Sequence, residues 1–542
     1  MNISRSKWSV GVRVLVAALL PLAVTLPARA ADAPVATTLI RPDGIPDIPA
    51  LPFTGTKSAV FTTPQTMVNL TVTPAQGVVG DPIVITGKLL LANTTVTLTW
   101  STSDASWVAE IQPNTVNYMG TSTANYNVDM ATVTTNANGD FTYATSIPSD
   151  WGGVHDVYAV KDGVGAGHGG LQVARSFSMT PKSGPVGTPI TVTYTGLGPK
   201  LYAAGSALIY DNKFAGEMQA RWTRGTAKAV IIASGKVGAH YIQANEAISF
   251  SYLNVMQSPV PYANSGFGKF MITKDSGAFK PWVQWPAKVT PTATQRTTLS
   301  LDSGPIGTKT MVNVTGLSTI GSHQIVWATV VGNRVNCSGT CWVYNSLPLA
   351  TVDVTSSTLS KEVTIPDHLG GWHVIQIKQG DAIEAQASFY VKESIMPFYD
   401  KAGKIVSQGV ATADLSGSAD AFAKGGAGTP TYNFKEGDEF TISLKGVGWT
   451  QFDNTLAVTY DNAYIGYGCG FNSNGYLVVH LKAIGGVGTH VIDLRPLLYT
   501  QQPSFASTPY GMTPVLTFDR DFAGLALGYQ IPAFHFAINI VK

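Results

Sequence analysis

Charge and cysteine are both scarce in this chain. Its 542 residues include only 13% charged residues and three cysteines. The few basic residues form no block, so nucleic-acid binding has no electrostatic support. With 44% hydrophobic residues, the composition is that of a folded protein, well away from the low-hydrophobicity, high-charge signature of disorder.

Long hydrophobic runs are missing beyond the N-terminus. No later stretch approaches the roughly 18 residues of a membrane helix, which predicts no membrane span in the mature chain. The one early run, Val14 to Leu26, is too short for a comfortable span and follows three basic residues. Ala28-Arg29-Ala30 then supplies a small-x-small cleavage pattern. These features predict a signal peptide over residues 1–30 and export of a chain that starts at Ala31.

Charge is nearly balanced once this signal is removed. The signal carries four of the 35 basic residues, so 31 remain against 33 acidic ones, a net charge of about −2. No cysteine lies at the cleavage site, which argues against a lipoprotein, and the C-terminus shows no anchor. The sequence therefore predicts a periplasmic, cell-surface or extracellular protein.

The cysteines offer one local pairing. Cys337 and Cys341 flank Ser338-Gly339-Thr340, a hairpin-like turn, and would form a short disulfide in an oxidising compartment. So small a loop gains little entropic stabilisation. A metal site at the same pair would need further ligands that the sequence does not place, so we expect none. Cys469 is either a buried, inert thiol or an accessible one.

Catalytic motifs are absent from the sequence. It holds no Gly-x-Ser-x-Gly elbow, no His-Glu-x-x-His and no Gly-rich phosphate loop. Asp275, Asp519 and Asp521 lie near aromatic residues, which fits a cleft and fits solvated turns equally well. We therefore predict a protein without enzymatic activity, catalytic residues or cofactor.

Glycine is abundant instead, and it marks a repeated pattern. A glycine turn precedes an alternating strand at four places, after Gly80, Gly187, Gly307 and Gly437. Period-2 alternation between turn signals is typical of strands, and recurrence of one pattern is typical of repeats. Each repeat next places a large aromatic residue in a strand: Trp100, Tyr210, Trp327 and Tyr460. Each closes on a Gly-x-His turn before an apolar strand, at His155, His240, His373 and His490.

The repeats fall into two types. Gly187 to His240 matches Gly437 to His490 without a gap, at a shift of 250 positions. The first and third repeats instead share an Ile-Pro…Gly-Gly approach to the histidine, at 147–153 and 365–371. The simplest account is an A-B-A′-B′ chain produced by duplication of a two-domain unit.

The opening of the second repeat resembles a known family. Thr-Pro-x-Ser-Gly-Pro-Val-Gly-Thr, a strand and then Gly-Leu-Gly, at 180–198, resembles the start of IPT/TIG-type immunoglobulin-like repeats. The closing Pro…Gly-Gly-x-His is similar to the end of bacterial immunoglobulin-like surface repeats. The resemblance covers 68–542 and implies an all-β chain of tandem immunoglobulin-like sandwiches that act as spacers or adhesive modules. The fourth repeat departs from the family's opening, since it lacks Pro-x-Ser and Gly-Pro.

These patterns together divide the chain into seven parts. The predicted boundaries are a signal peptide at 1–30, a Pro/Thr-rich lead-in at 31–66, domain A at 67–175, domain B with an aromatic extension at 176–292, domain A′ at 293–392, a Gly/Ser/Ala-rich linker at 393–430, and domain B′ with an aromatic extension at 431–542. The lead-in is expected to be extended or docked as a strand.

Two polar motifs of the repeats have a functional and a structural interpretation. The four histidines suggest metal binding, but equivalent positions in separate domains favour a framework role at a strand start. Tyr-Asp-Asn at 210–212 and 460–462 suggests calcium, but Asp-Asn between strands is ordinary hairpin chemistry. We expect no metal at either motif.

The aromatic extensions of domains B and B′ are the candidate ligand-binding region. If exposed, their rings would stack on sugars or anchor a protein partner; if buried, they form the core of added strands. The candidate residues are Tyr262, Trp282, Trp285, Tyr510 and Tyr529.

Three functional hypotheses follow. The first is an exported, non-enzymatic protein with a structural, adhesive or protein-interaction role at the cell surface or in the periplasm, with protein or glycan partners at the cell envelope. The second is a glycan-binding or other ligand-binding protein that uses the aromatic extensions. The third is an enzyme with a composite site between domains, which needs no local motif.

Overall fold

The chain is an all-β protein. The computed structural model describes residues 42–43, 51–53, 55–112, 115–199, 204–220, 223–246, 266–275, 282–284, 290–291, 297–332, 342–392, 394–395, 398–400, 405–407, 432–448, 455–470, 473–498, 513–514, 516 and 533–542. Within these ranges every regular element is a strand. Four separate apolar cores lie along the chain, and each is enclosed by its own pair of sheets.

The first sandwich encloses the core around Trp100. The strands run β6-β5-β8-β9-β2-β4-β7 with β3 against β9, and β2 links the two layers, because it pairs with β9 at its start and with β4 over the rest of its length. Its strands are β2 (Val68–Thr73), β3 (Gln76–Gly77), β4 (Pro82–Gly87), β5 (Thr95–Gln112), β6 (Thr115–Thr134), β7 (Phe141–Ser146), β8 (Gly153–Lys161) and β9 (Val164–Val173), preceded by the isolated β1 (Pro42–Asp43).

The Pro/Thr-rich lead-in docks on this sandwich where the structure describes it. Leu51 and Phe53 pack against its core. Lys57 and Thr62 make single bridges to Val128 and Val164. Because proline removes backbone donors, the segment forms isolated bridges and not a ladder.

The second sandwich repeats the arrangement. One sheet is β10-β12-β15 and the other is β11-β17-β16-β13-β14, with β11 parallel to β17. The strands are β10 (Ser176–Thr180), β11 (Ser183–Gly184), β12 (Pro189–Thr195), β13 (Gly205–Tyr210), β14 (Lys213–Gln219), β15 (Ala227–Ile232), β16 (Gly238–Glu246) and β17 (Gly266–Ile272). Two further strands follow, β18 (Trp282–Gln284) and β19 (Thr290–Pro291), and β19 pairs with β1.

The third sandwich has the same two sheets, β20-β22-β25 and β21-β27-β26-β23-β24. Its strands are β20 (Thr297–Leu299), β21 (Ser303–Gly304), β22 (Lys309–Thr315), β23 (Gly321–Gly332), β24 (Trp342–Val354), β25 (Thr358–Thr364), β26 (Gly371–Gln379) and β27 (Ala382–Val391).

The fourth sandwich completes the series. β32 pairs with β28, β29 and β35 in one sheet, and the other runs β18-β38-β36-β33-β34 with β31 parallel to β38. The strands are β28 (Ser394–Ile395), β29 (Phe398–Asp400), β30 (Ile405–Ser407), β31 (Tyr432–Lys435), β32 (Glu439–Lys445), β33 (Thr455–Tyr460), β34 (Ala463–Cys469), β35 (Leu477–Lys482), β36 (Gly488–Leu498), β37 (Thr513–Pro514) and β38 (Ala533–Val541).

Three of these strands lie in the stretch that composition assigns to a linker, 393–430. β28 and β29 pair antiparallel with β32, and β30 pairs with β29. The described part of this stretch is therefore an extension of the sheet and not a linker. The Gly-rich residues that produce the linker signal, 415–428, lie outside the described residues.

This strand order is the immunoglobulin-like arrangement, so the predicted fold class is confirmed. In each sandwich the large aromatic residue that the repeat places in a strand faces the core. Trp100, Tyr210 and Trp327 are buried and Tyr460 is half-buried.

Candidate functional site

The sequence-predicted ligand site falls almost wholly outside the described residues. Tyr262, Trp285, Tyr510 and Tyr529 are not among them, and neither are Cys337 and Cys341. Only the backbone of Trp282 is described, in β18, where it lies opposite His535 of β38. The aromatic site and the disulfide therefore stay predictions. Cys469, the remaining cysteine, is exposed on β34.

The repeat histidines of the first and third sandwiches are built into the protein interior. His155 stacks on Trp100 with 4.3 Å between ring centroids, and His373 stacks on Trp327 at 4.6 Å. The ring nitrogens of His155 lie 2.7 Å from the carbonyl oxygens of Ser101 and Trp151. Both rings thus join the aromatic core to two backbone segments, which is a framework role.

Burial has an electrostatic consequence at His373. It lowers the pKa of His373 to about 4, despite carbonyl oxygens of Ala328, Leu369 and Gly370 within 3.0 Å of the ring nitrogens. The buried ring of His368 adds to this lowering. At neutral pH the His373 ring is therefore uncharged, so only one of its two nitrogens carries a proton and can donate to a carbonyl oxygen.

In the second and fourth sandwiches the same histidine pairs with the aspartate of the Tyr-Asp-Asn turn. His240 Nδ1 lies 2.5 Å from Asp211 Oδ2, and His490 Nδ1 lies 2.7 Å from Asp461 Oδ2. Burial acts to lower the pKa of His490, but the hydrogen bond to Asp461 outweighs it and the pKa is raised. The other carboxylate oxygen of Asp461 accepts from a backbone N–H. The aspartates thus serve the hairpin and the histidine.

The first and second sandwiches meet in a tight backbone joint. The Gly152 N–H donates to the Leu197 carbonyl at 2.9 Å. A Cβ at Gly152 would lie 1.7 Å from the carbonyl oxygen of Gly196. Only glycine permits so close an approach of two backbones, so the joint has a fixed geometry.

Arg224 clamps this joint. It projects from the second sandwich into the first and is almost fully buried. Its guanidinium donates to the Ser103 carbonyl at 2.9 Å, to Asp104 at 2.7 Å and to the Tyr126 hydroxyl at 2.6 Å. It also lies 3.9 Å from the buried carboxylate of Asp150. A buried charge is tolerated only with partners of this kind.

The two carboxylates of the clamp are surrounded by hydrogen-bond donors. Burial acts to raise the pKa of Asp104, but hydrogen bonds from Lys57, Tyr126 and Arg224 outweigh it and the pKa is lowered. Asp150 accepts hydrogen bonds from Trp100 Nε1 at 2.8 Å and from Thr102 Oγ1 at 2.9 Å, and it lies 3.9 Å from Arg224. The joint is thus a charge network and not only a packing contact.

The third and fourth sandwiches form an equivalent joint with different side chains. The Gly370 N–H donates to the Val447 carbonyl at 2.9 Å. His368 stands at the position that Asp150 occupies in the first joint, and it contacts Thr329 Oγ1 at 3.1 Å. Asn474, the counterpart of Arg224, is exposed. The backbone geometry is kept while the buried ion cluster is absent from the described residues of this joint.

The second and fourth sandwiches also touch directly, although about 230 residues separate them in sequence. Asn462 Nδ2 donates to the Ile232 carbonyl at 2.7 Å and to Ser234 Oγ at 2.8 Å. Asp275 accepts from the backbone N–H of Thr489 at 2.9 Å. The buried contacts of Asn462 and the part-buried contact of Asp275 give the two sandwiches a specific mutual orientation.

Apolar packing reinforces this contact. Val491, Leu516 and Ala537 of the fourth sandwich belong to the hydrophobic core of the second. The Leu516 N–H donates to the Glu217 carbonyl, and a Cβ at Gly216 would lie 2.7 Å from Leu516. The two sandwiches therefore pack directly against each other and do not stand apart as beads.

The outer sheet face of the fourth sandwich buries three ionisable groups. Asp493 Oδ1 lies 2.7 Å from His535 Nδ1, and Asp493 Oδ2 lies 3.4 Å from Arg495 Nη2. Burial acts to raise the pKa of Asp493, but the charges of His535 and Arg495 outweigh it and the pKa is lowered. Such a cluster fixes the orientation of β36 relative to β38. Among the described residues it contains no Ser, Thr or Cys that could act as a nucleophile.

Sequence reasoning missed the groups that join the sandwiches. Arg224, Asn462 and Asp275 lie in turns or after strands, where polar residues are usually solvated. One signal was present: the gapless match of the second and fourth repeats places Arg224 opposite Asn474 in otherwise similar turns. Because Arg224 is charged and its counterpart Asn474 is not, this difference indicates a contact of the second repeat that the fourth repeat lacks.

Two further kinds of site are absent from the described residues. They contain no cluster of three His, Cys, Asp or Glu side chains arranged to hold a metal ion. They also contain no helix long and apolar enough to cross a membrane.

The chain has remote structural likenesses. It is similar to a membrane-anchored protein from Corynebacterium diphtheriae, with 12% identity, 59% of this chain and 88% of that chain covered, and a TM-score of 0.16. It is similar to the D1–D4 ectodomain fragment of ICAM-5, with 8% identity, coverage of 87% and 99%, and a TM-score of 0.16. It is also similar to the BSP domain of a biofilm-associated protein, with 10% identity, coverage of 60% and 66%, and a TM-score of 0.12.

No protein-family model matches the chain, and no curated protein does.

Proposed function

We propose that this chain is an exported, non-enzymatic scaffold of the cell envelope, with a structural or adhesive role at the cell surface or in the periplasm. The observation that carries the proposal is that polar side chains join one sandwich to another. Arg224 and Asn462 are buried at such contacts, and the exposed Asp275 accepts a hydrogen bond from the neighbouring sandwich. The export signal predicted from the sequence at residues 1–30 supports the location.

Rigid joints suit a load-bearing or surface-presenting protein. Domain contacts within a chain are by default mobile unless they are large and specific. Here a buried ion cluster, a glycine–backbone contact and apolar packing between the second and fourth sandwiches hold the sandwiches in place. A protein that holds surfaces at fixed positions needs such joints, whereas a simple flexible spacer does not.

The test combines turnover with envelope binding. The purified mature chain, residues 31–542, is assayed against ester, peptide, glycoside and phosphate substrates, and its labelled form is added to intact cells and envelope fractions of the native host. We expect no turnover and saturable retention on the envelope. Substrate turnover, or retention no greater than that of an unrelated sandwich protein, would overturn the proposal.

A second candidate is glycan binding through the aromatic extensions. The observation in its favour is that β18, which carries Trp282, leaves the second sandwich and pairs with β38 of the fourth. An aromatic segment shared by two sandwiches is a plausible place for a groove, since ligand sites favour domain boundaries. Glycan arrays with the wild type and with the double variant Trp282→Ala, Trp285→Ala test it. Binding that is absent, or unchanged in the variant, rules it out.

A further inference from the structure

The outer face of the second sandwich is open where β16 and β17 lie side by side. Alternate residues of these strands point away from the core, and across the strands Tyr241 pairs with Lys269 and Gln243 pairs with Phe267. Tyr241 is 46% exposed, Phe267 is 62% exposed, and Lys269 is exposed as well. The face therefore presents two aromatic rings and an ammonium group to solvent.

The two rings form one stacked unit. Their centroids lie 5.6 Å apart and their planes are inclined by 17°. Met271, the next outward residue of β17 after Lys269, is also partly exposed and extends the apolar strip. Single exposed apolar residues need no explanation, whereas a contiguous group on a sheet face marks a contact surface.

The corresponding face of the fourth sandwich is already a contact surface. At a shift of 250 positions Tyr241 matches Val491 and Gln243 matches Asp493. Both counterparts are buried, and Val491 packs into the core of the second sandwich. The same face is thus used for binding in the fourth sandwich and left open in the second.

The second sandwich is also the basic part of a chain that is nearly neutral overall. Residues 176–275 contain nine basic and four acidic residues, whereas residues 67–173 contain two basic and eight acidic ones. Arg224 is used in the joint with the first sandwich. The remaining basic residues give the second sandwich a positive field, which attracts an acidic partner.

Three more lysines lie at one end of the aromatic strip. The Lys182 carbonyl accepts a hydrogen bond from the Met271 N–H at 3.0 Å, so Lys182 borders β17 directly. Lys236 lies just before β16 and Lys274 just after β17, at the same end of these antiparallel strands. All three are exposed. Together with Lys269 they add a row of positive charge to the apolar strip.

Two acidic groups adjoin this strip, and both are engaged. Asp211 Oδ2 lies 2.5 Å from His240 Nδ1, and Asp211 Oδ1 accepts from the Tyr241 N–H at 2.8 Å. Asp275 accepts from the Thr489 N–H of the fourth sandwich at 2.9 Å. The lysines of the strip are therefore left to a negatively charged partner.

The size and chemistry of the surface favour a sugar polymer over a protein. Aromatic side chains bury about 150–250 Å² each, so two half-exposed rings with Met271 offer about 300 Å². A stable protein interface takes roughly 800 Å² from each partner. Gln243 and Asn245 lie on the same face, with their amides joined by a 2.7 Å hydrogen bond. Because amides both donate and accept, they match the hydroxyl groups of sugars.

We propose that this face of the second sandwich binds an acidic polysaccharide of the cell envelope, a polymer that carries uronic acids. Its sugar rings stack on Tyr241 and Phe267, and its carboxylates pair with Lys269 and with the lysines at the end of the strip. The inference rests on the proposed envelope role, since it names the class of partner that the chain holds there. The site is separate from the aromatic extensions, because it is built from the outward residues of two regular strands.

The test is binding of polygalacturonate to the mature chain, residues 31–542, measured by isothermal titration calorimetry. Fully methyl-esterified polygalacturonate has the same rings without charge, and polyglutamate has the charge without rings. We expect the wild type to bind polygalacturonate at least tenfold more tightly than either control or an oligothymidylate. Added salt should weaken the binding, because the ion pairs are exposed to solvent.

Two sets of variants separate the rings from the charge. The double variant Tyr241→Ala, Phe267→Ala should weaken binding at least tenfold, and the milder Phe267→Leu, which keeps an apolar side chain, should also weaken it. Lys269→Gln should weaken binding about two- to fivefold, as loss of an exposed ion pair does. Far-ultraviolet circular dichroism verifies that each variant is folded.

Exposed residues of the same types outside the face provide the controls. Lys228→Gln, in the opposite sheet of the second sandwich, and Tyr476→Ala, on the fourth, should bind as the wild type does. The double variant Trp282→Ala, Trp285→Ala should do so too. The proposal is overturned by a wild type that does not bind, by a control polymer that binds equally tightly, by a face variant that binds normally, or by a control variant that loses binding.

This outcome and that of the envelope experiment are distinguishable. A chain that is retained on envelopes but does not bind polygalacturonate keeps the proposed role and loses this inference. A chain that binds polygalacturonate and cleaves it keeps the site and loses the non-enzymatic role.

Discussion

Truncation of Arg224 to alanine should open the joint between the first and second sandwiches. The substitution removes hydrogen bonds to Ser103, Asp104 and Tyr126 and leaves the buried Asp150 without its nearest cation. Removal of one partner from a buried ion pair typically costs about 3–5 kcal/mol.

The lower end of that range applies here. Asp150 keeps its hydrogen bonds from Trp100 and Thr102, and Asp104 keeps Lys57. We therefore expect about 3 kcal/mol, on the scale for loss of one partner. At about 1.4 kcal/mol per tenfold change in an equilibrium constant, the open state of the joint becomes roughly 100-fold more populated.

Hydrogen exchange detected by mass spectrometry measures this opening locally. Peptides that cover 101–104 and 224–226 should exchange roughly 100-fold faster in the variant, because exchange follows the free energy of local opening. Peptides of the third and fourth sandwiches should not change. The measurement avoids global unfolding curves, which a chain of several domains does not fit to two states.

Asn474→Ala is the matched control. Asn474 has the same backbone conformation, with φ of 57° against 49° for Arg224, but its side chain is exposed. Both substitutions place alanine at a positive φ, so the backbone cost is common to them. Equal acceleration of exchange in the two variants would refute the clamp, since only backbone strain would then be at work.

Three further predictions concern pH and the glycine contact. Because the pKa of His490 is raised, its contribution to stability is full below about pH 6.5 and is lost as pH rises through the folded-state pKa. In the variant Asp461→Asn, thermal unfolding measured across pH should no longer show this loss. The pKa of His373 is depressed to about 4, so its pH dependence runs the other way: its contribution to stability is full above about pH 6.5 and is lost as pH falls through about 4. This loss corresponds to about 3 kcal/mol of unfolding free energy, and His373→Gln should remove it. Gly370→Ala places a Cβ 1.6 Å from a carbonyl oxygen of the fourth sandwich and should enlarge the radius of gyration in X-ray scattering, whereas Gly380→Ala, in an open hairpin turn, should not.

The sandwiches themselves were predictable because their signals are local. Alternation in β12 and β22, bounded by glycine turns, identifies each strand without reference to the rest of the chain. The buried aromatic residue and the Gly-x-His turn recur at fixed places, so one repeat supports the next. The framework role inferred for the histidines rests on the same recurrence, and His155 and His373 lie in the interior as that role requires.

The joints were not predictable because their signals are not local. Asn462 meets Ile232 and Ser234 only after two sandwiches have folded and docked. A polar residue in a turn has the same sequence pattern whether it is solvated or buried in a neighbour. Composition also misplaced the start of the fourth sandwich, since the Gly-rich run at 415–428 outweighed the short apolar strands β28 and β29.

The two copies of the backbone joint show which part of it is fixed by geometry and which by chemistry. Gly152 and Gly370 meet the opposing carbonyl at nearly the same distance, so the orientation depends on backbone contact alone. The side chains around that contact differ, since Asp150 with Arg224 gives way to the buried His368. Burial opposes ionisation of Asp104 in the first joint, but hydrogen bonds from Lys57, Tyr126 and Arg224 outweigh it and lower its pKa, so this carboxylate keeps its charge on acidification. Burial lowers the pKa of His368, so the contribution of this ring to the second joint is full while the ring is neutral and is lost as pH falls through its folded-state pKa.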